Sequence, residues 1–240
     1  MDKMKDSENA DLKNKVHTNT AVAPNMQYLI ESGTADMVLE KTQPFIELMM
    51  MYQCALREVS TKFEVLNDEF SVRYNRNPVE SIKTRIKTPM SIIDKLKRHS
   101  LPYSLQSIRD NISDVAGVRI ICSFPDDIYE LSKMFLKQDD IKLITMKDYI
   151  KNPKPSGYRS LHLIVEIPIF LTDRTEHMRV EVQFRTIAMD FWASLEHKLR
   201  YKKSINDTGN ISSELRECAE QIAALDVKMQ DIHKEIENHK

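Results

Sequence analysis

Glycine is scarce in this chain, and that scarcity rules out several ways of folding around a nucleotide. Only four glycines occur in 240 residues, at positions 33, 117, 157 and 209. Neither a GxxxxGKS or GxxxxGKT loop nor a GxGxxG turn occurs, although both bring the backbone close to phosphates through closely spaced glycines. The chain is therefore not a P-loop NTPase, a Rossmann dehydrogenase or a protein kinase. Any nucleotide phosphate must be held by side chains.

Length and composition predict one main folded domain. At roughly 150 residues per domain, this length allows one large domain, or one domain with a helical appendage. Hydrophobic residues make up 41% of the chain, which is enough for a core. No apolar run approaches the roughly 20 residues of a membrane span.

Several features predict a cytoplasmic protein without a membrane partner. Residues 1–36 are polar and predict a tail, and no apolar segment of a secretory signal is present in 1–25. Cys54, Cys122 and Cys218 lie far apart and form no disulfide framework.

Hydrophobic periodicity predicts an α+β fold with a mixed sheet of about five strands flanked by N- and C-terminal helices. Apolar residues from Phe45 to Phe70 recur every three or four positions, which predicts a helix over 37–75 with Pro44 at its first turn. The other predicted elements are strands over 81–87, 115–124, 141–150, 161–169 and 179–185, and helices over 89–99, 126–138 and 187–203.

The last segment carries a heptad-like apolar seam. After a polar loop over 204–210, the seam consists of Ile211, Leu215, Cys218, Ile222, Leu225, Met229, Ile232 and Ile236. Such a seam is typical of a helix that pairs with another helix. A helix packed on its own domain is the alternative, and we predict that 204–240 forms an oligomer contact.

Two acidic residues lie at or beside predicted strands. Asp114 precedes one strand, and Glu181 lies on the polar face of another. If the strands are neighbours, the two carboxylates meet and can hold Mg²⁺, which prefers hard oxygen ligands together with substrate phosphates. Taken alone, the pair is also compatible with ordinary surface acids.

Basic residues form a second candidate site. Arg85 and Lys87 lie on one predicted strand, and the next helix places Ser91, Lys95 and Arg98 on one face. Together they form a candidate phosphate cradle, although a solvated basic face is the alternative.

A third candidate site is the segment 147–162, which is rich in cations and tyrosine. Lys147, Lys154, Tyr158 and His162 surround Gly157. Tyrosine can stack on a base while lysine holds phosphates, so the segment is a candidate nucleotide loop. A basic hairpin loop with an internally bonded histidine is the alternative.

Five blocks resemble, in order and spacing, the synthetase domain of the RelA/SpoT homologues. The blocks are 84–95 (TRIKTPMSIIDK), 112–120 (ISDVAGVRI), 156–162 (SGYRSLH), 180–186 (VEVQFRT) and 191–197 (FWASLEH). The resemblance covers about residues 40–203, and we predict a synthetase domain with its leading helices over 37–203. Hydrolase and regulatory regions are not recognised, so the chain looks like a small alarmone synthetase.

This resemblance implies a nucleotidyltransferase fold of the polymerase-β type and the activity of a GTP pyrophosphokinase. Such an enzyme transfers pyrophosphate from ATP to the 3′-hydroxyl of GTP or GDP, giving AMP and the alarmones of the stringent response. The resemblance also implies a homo-oligomer, with a tetramer as the expected state.

The resemblance further implies a role for each candidate residue. Arg85 and Arg119 clamp adenine, and Lys87, Lys95, Arg98 and Ser91 serve the ATP phosphates. Asp114 and Glu181 hold Mg²⁺, and Glu181 is also the candidate base. The acceptor side consists of Lys147, Lys154, Tyr158, His162 and Gln183. Asp190 is added to it because a carboxylate can accept hydrogen bonds from N1–H and the N2 amino group of guanine.

Two other functions stay open from the sequence. Relatives of this kind also transfer pyrophosphate to the 3′-end of tRNA or to adenine nucleotides, and nothing in the sequence specifically supports an RNA partner. The remaining alternative is a non-catalytic oligomer that binds nucleotides.

Overall fold

A computed structural model describes residues 34–201 and 210–239 of this chain. The strands are β1 Val79–Ile86, β2 Ala116–Cys122, β3 Lys142–Asp148, β4 Leu161–Phe170 and β5 Thr175–Thr186. The helices are α1 Thr34–Tyr74, α2 Pro89–Arg98, α3 Leu105–Asn111, α4 Pro125–Phe135, α5 Ile187–Tyr201 and α6 Asn210–Asn238. Among these helices, none is long and apolar enough to cross a membrane.

The five strands form one mixed sheet in the order β1-β2-β5-β4-β3. Only β2 and β5 run parallel, and the other neighbours are antiparallel. The prediction of a mixed five-stranded sheet flanked by helices is therefore confirmed. The parallel pair is important for the site, because it places Asp114, just before β2, beside the middle of β5.

One face of the sheet is covered by α1 and α4 and carries the main core. The predicted apolar face of α1 is buried, with Leu48, Tyr52, Val59 and Phe63 among its members. The Phe63 ring stacks on Phe135 of α4 at 4.5 Å and meets Phe184 of β5 edge-on at 5.4 Å. The opposite face of the sheet is left for polar side chains.

Three local differences from the sequence prediction have physical reasons. Helix α1 begins at Thr34, so the prediction that Pro44 opens it is wrong: the helix accommodates a residue without an amide hydrogen inside it. The two compact units of the chain divide at this proline. Strand β5 begins at Thr175, because backbone pairing with β4 extends to the hairpin turn. Helix α3 was not predicted; it is one short element capped by Ser104.

Helix α6 has two different faces. Ala219, Asp226 and Gln230 are buried against the rest of the domain. Five apolar residues of the predicted seam are between 41% and 57% exposed, namely Ile211, Leu225, Met229, Ile232 and Ile236. The helix therefore packs on its own domain and still presents most of the seam. The predicted tail over 1–36 lies outside the described residues except for its helical residues 34–36, and the predicted loop over 204–210 lies outside them except for Asn210.

Candidate active site

Strand register assembles the candidate residues into rows on the open face of the sheet. Lys83, Arg119, Gln183, His162 and Lys147 are directly paired across all five strands. Residues that are paired across strands point to the same face, so their side chains form one continuous polar row. Within each strand, the side chains on this face recur every two residues. Strand pairing then makes residues neighbours although they are far apart in the sequence.

A second row contains the candidate base. Arg85, Gly117, Glu181 and Ile164 are paired in adjacent strands. A β-carbon added at Gly117 would lie 3.3 Å from Nε of Arg85, so the glycine leaves room for this side chain to lie over the sheet. The Arg85 guanidinium then reaches toward Glu181, with Nη2 at 3.8 Å from Oε2.

The Asp114 carboxylate is held by two lysines of the candidate cradle. Lys95 Nζ lies 2.7 Å from Oδ1, and Lys87 Nζ lies 3.0 Å from Oδ2. Burial alone would raise the pKa of this carboxyl, but hydrogen bonds and charge from the two lysines outweigh burial and lower it. Asp114 is therefore ionised at neutral pH, and β1, α2 and the start of β2 meet at one charged point.

The Glu181 carboxylate accepts hydrogen bonds on both oxygens. His162 Nδ1 lies 3.3 Å from Oε1, and Gln183 Nε2 donates to Oε2 at 2.8 Å. Burial favours a raised pKa and the Asp114 charge adds to it, but His162 and Gln183 prevail, so the pKa of Glu181 is lowered. The influence of Asp114 indicates that the two carboxylates share one electrostatic environment.

His162 connects Glu181 to the tyrosine of the candidate nucleotide loop. Its Nε2 lies 2.8 Å from the Tyr158 hydroxyl, which also receives a hydrogen bond of 2.9 Å from Arg185 Nη2. A guanidinium only donates, so the Tyr158 oxygen is the acceptor toward Arg185. Through its two ring nitrogens, His162 links the Tyr158 hydroxyl to Glu181.

Asp190 lies among three cations at the start of α5. Its carboxylate accepts from Lys83 at 3.2 Å, Arg119 at 3.3 Å and Arg185 at 2.9 Å. Burial would raise the pKa of Asp190, but these cations outweigh it and lower the pKa. The expected role of Asp190 toward guanine stays a prediction, and the carboxylate also holds two arginines that border the two candidate nucleotide regions.

The predicted adenine region is a shallow cleft of about 130 Å³. It is lined by Arg85, Gly117 and Arg119, with Lys83 and Gln183 at its margin. Both arginines of the predicted adenine clamp line this cleft, and their role toward adenine stays a prediction.

Aromatic rings and cations pack together in the predicted acceptor region. Lys154 Nζ lies 4.7 Å from the centre of the Tyr149 ring and 5.0 Å from that of Tyr158. The Tyr149 ring meets His162 edge-on at 5.3 Å. Lys147 is exposed on β3, directly paired with His162. These rings and ammonium groups can receive a base and phosphates.

Two predicted ATP residues of α2 have hydrogen-bond partners within or next to their own helix. Ser91 Oγ accepts from the Thr88 hydroxyl at 2.9 Å, and Arg98 Nε donates to the Asp94 carbonyl oxygen at 3.4 Å. Both side chains are exposed, whereas Lys95 of the same helix contacts Asp114.

Sequence reasoning did not select Lys83, Arg185 or Tyr149 as site residues. Lys83 and Arg185 continue the two-residue alternation of Arg85 with Lys87 and of Glu181 with Gln183, so strand period could have found them. Arg185 is only 6% exposed and donates hydrogen bonds to Asp190 and to the Tyr158 hydroxyl, so it orients these two side chains. Tyr149 gave no periodic signal because it follows β3 in a turn.

The five-stranded mixed sheet with charged rows on its open face has the predicted nucleotidyltransferase-like fold, which solved structures at 30–45% identity share. Residues 84–206 match the model of the region found in RelA / SpoT proteins. The chain belongs to the RelA/SpoT family.

Relatives with assigned names agree in length and fold. The GTP pyrophosphokinase YwaC of Bacillus subtilis (strain 168) is 44% identical over 189 residues, which are 79% of this chain and 90% of that protein. The small alarmone synthetase 1 of Bacillus subtilis bound to its product pppGpp has a TM-score of 0.73 and 34% identity, covering 81% of this chain and 98% of that one. The same enzyme bound to AMPCPP has a TM-score of 0.68 and 32% identity, covering 82% and 99%.

Proposed function

We propose that this chain is a GTP pyrophosphokinase that makes the alarmones pppGpp and ppGpp. It transfers pyrophosphate from ATP to the 3′-hydroxyl of GTP or GDP and releases AMP. The observation that carries the proposal is the pair of registered rows around Glu181, with arginines and lysines toward β1 and tyrosines toward β3. Named relatives of nearly the same length are GTP pyrophosphokinases.

The donor side is assigned to β1, α2 and β2. Arg85 and Arg119 border adenine, while Lys87 and Lys95 exchange their contacts with Asp114 for ATP phosphates. Ser91 and Arg98 remain part of this assignment, on the exposed face of α2. Such an exchange replaces one anion by another and keeps the lysines paired.

The acceptor side is assigned to β3, β4 and the loop between them. Tyr158 stacks on guanine, and Lys147, Lys154 and His162 face the acceptor's phosphates and ribose. Gln183 holds Glu181, and Asp190 borders the guanine.

Mg²⁺ is proposed as the cofactor, held by Asp114 and Glu181. Two ionised carboxylates in one electrostatic environment fit an ion that takes one or two carboxylates and fills its other positions with water and phosphate oxygens. When bound, the ion supplies positive charge where negative charge develops on the transferred phosphates. Among the described residues, no group of three or more acidic, histidine or cysteine side chains forms a dedicated metal cage.

Glu181 is the proposed general base. Its carboxylate takes the proton of the 3′-hydroxyl as that oxygen bonds to the β-phosphorus of ATP. The bond between the β-phosphorus and the oxygen bridging to the α-phosphorus breaks, and AMP leaves with the electron pair. A positioned base contributes about 10²–10⁴-fold to such steps.

The proposed assembly is a homo-oligomer, specifically a tetramer, that acts in the cytoplasm, where ATP and guanine nucleotides are supplied. The exposed seam of α6 supports self-association, because five large apolar side chains at helical spacing face solvent on a single chain.

An acceptor assay tests the proposed function. Purified protein is incubated with Mg²⁺, ATP and one of GDP, GTP, ADP or deacylated tRNA, and the nucleotides are resolved by anion exchange. We expect equal amounts of AMP and a tetra- or pentaphosphate with guanine acceptors, and loss of both in Glu181→Gln. Release of ADP instead of AMP in the reactions with GDP or GTP contradicts the proposal. Transfer that occurs only when tRNA or ADP is the acceptor also contradicts it.

A further inference from the structure

The backbone of the acceptor loop is pressed against helix α6. Gly157, directly before Tyr158, has a φ of +88°, and a β-carbon there would lie 2.5 Å from the Ala219 β-carbon. The same β-carbon would lie 3.7 Å from Cα and 3.8 Å from the carbonyl oxygen of Arg216. Only glycine fits both the left-handed conformation and the space that α6 leaves.

The side chain of Tyr158 packs on the same face of α6. Trp192 and Ala193 of α5 form a small apolar cluster with Ala219, and Tyr158 packs against it together with Leu215 and Ile222. Trp192 Nε1 donates to the Leu215 carbonyl oxygen at 2.9 Å. The loop, α5 and α6 therefore meet at one apolar contact.

Helix α6 is itself attached to the domain at points beyond the loop. Thr186 Oγ1 donates to Asp226 Oδ2 at 2.6 Å, and the Asp126 amide donates to Gln230 Oε1 at 2.7 Å. The Phe124 and His233 rings stack at 4.3 Å. These contacts join α6 to the end of β5 and the start of α4, so its position is set independently of the loop.

We propose that helix α6 is a positioning element for the acceptor nucleotide, acting through the contact of Ala219 with Gly157. Ala219 and Gly157 are positioning residues: they touch neither reacting atom, and they set where Tyr158 stands between Arg185 and the bound base. The inference rests on the proposed function, because it takes the Tyr158 loop as the acceptor side. It makes acceptor affinity, and not ATP affinity, depend on how α6 is docked.

The test compares two leucine substitutions on opposite faces of one helix. Ala219→Leu enlarges the inner face at Gly157, and Ala224→Leu adds the same side chain on the exposed face. We expect Ala219→Leu to raise the KM for GDP by about tenfold or more, and to leave the KM for ATP within about threefold. Ala224→Leu should leave both KM values within about threefold of the parent protein.

Trp192 is the only tryptophan of the chain and reports on the same contact. Its fluorescence emission maximum should shift when GDP is added to the parent protein. In Ala219→Leu the maximum should already be shifted before GDP is added. A shifted maximum in Ala219→Leu together with an unchanged KM for GDP overturns the inference, as do equal rises in the KM values for GDP and ATP.

A second pair of variants covers the case in which Ala219→Leu does not fold. Gly157→Ala carries both the strained φ and the overlap with α6, whereas Gly157→Ala with Ala219→Gly keeps the strain and removes the overlap. We expect the double variant to bind GDP more tightly than Gly157→Ala, and equal affinities overturn the inference. Equilibrium dialysis with GDP distinguishes the proposed function from this inference. GDP binding without pyrophosphate transfer contradicts the proposed function, but the GDP affinities of the variants can still be compared. Absence of GDP binding contradicts both.

Discussion

At the scale of single residues, the open face of the sheet is organised by ion pairs and hydrogen bonds that leave few charges unbalanced. Asp114 faces two lysines, Asp190 faces three cations, and Glu181 is bonded by His162 and Gln183. Each acid thereby stays ionised in a half-buried position, where an unpaired carboxylate would be costly. The site is charged and ordered by its own side chains, as a face that receives two polyanionic substrates requires.

Asp226 differs from these acids, and it gives a prediction about stability. It lies on the buried face of α6, and burial raises the pKa of its carboxyl, although the hydrogen bond from Thr186 and the charge of Arg159 oppose the effect. A raised folded-state pKa stabilises the fold below the unfolded-state pKa, and this contribution is lost as pH rises through the folded-state value. We expect Asp226→Asn to unfold at a higher temperature than the parent protein at about pH 7, with the difference shrinking toward about pH 4.

Calorimetry at the two pH values measures this directly. Asp231→Asn is the matched control, because Asp231 is exposed on the same helix and should show no such pH-dependent gain. A gain for Asp226→Asn that grows as pH falls would contradict the assignment.

At the scale of elements, the sequence predicts well whatever depends on local period. The alternation of Val180, Val182 and Phe184 with Glu181, Gln183 and Arg185 correctly separates the core face from the open face of β5. Features that depend on contacts between distant segments cannot be predicted from local period. Three examples are the extension of β5 to Thr175, the chain of side-chain contacts that leads from Asp190 to Glu181, and the contact of Gly157 with Ala219. Each of them joins segments that only the folded sheet and α6 bring together.

The C-terminal helix shows the same limit. Its heptad spacing predicts a contact face but cannot distinguish a partner helix from the helix's own domain. Leu215 and Ile222 turn out to pack inward, while Leu225 and Met229 remain exposed. The inward side could not be recognised, because it is set by small and polar residues such as Ala219, Asp226 and Gln230.

The exposed seam of α6 predicts self-association. Leu225→Asp combined with Met229→Asp places two charges at its centre and should reduce the mass measured by light scattering to that of a smaller assembly. The charges would have to be buried without partners if the contact persisted. Ala224→Asp with Lys228→Asp has the same spacing on exposed positions away from the seam and should leave the mass unchanged. An unchanged mass in the seam variant contradicts the predicted contact.

At the scale of the whole molecule, the proposed function assigns one sheet edge to the donor and the other to the acceptor. In this assignment, β1 and β2 with α2 contribute the arginines and lysines of the ATP side, and β3, β4 and the loop between them contribute the tyrosine side. Glu181 lies on β5 between them, since β5 is the central strand of the sheet. The mixed topology thus places the proposed base between the two proposed nucleotide regions, which come from separate parts of the chain.

The most direct test of this division is a crossed comparison of two variants in the pyrophosphate transfer assay. The KM values for ATP and for GDP are measured separately in Arg85→Ala and in Tyr158→Ala. Arg85→Ala should raise the KM for ATP by about tenfold or more and leave that for GDP within about threefold, and Tyr158→Ala should do the reverse. If both variants raise the KM of the same nucleotide, the donor and acceptor sides are not divided across the sheet as described.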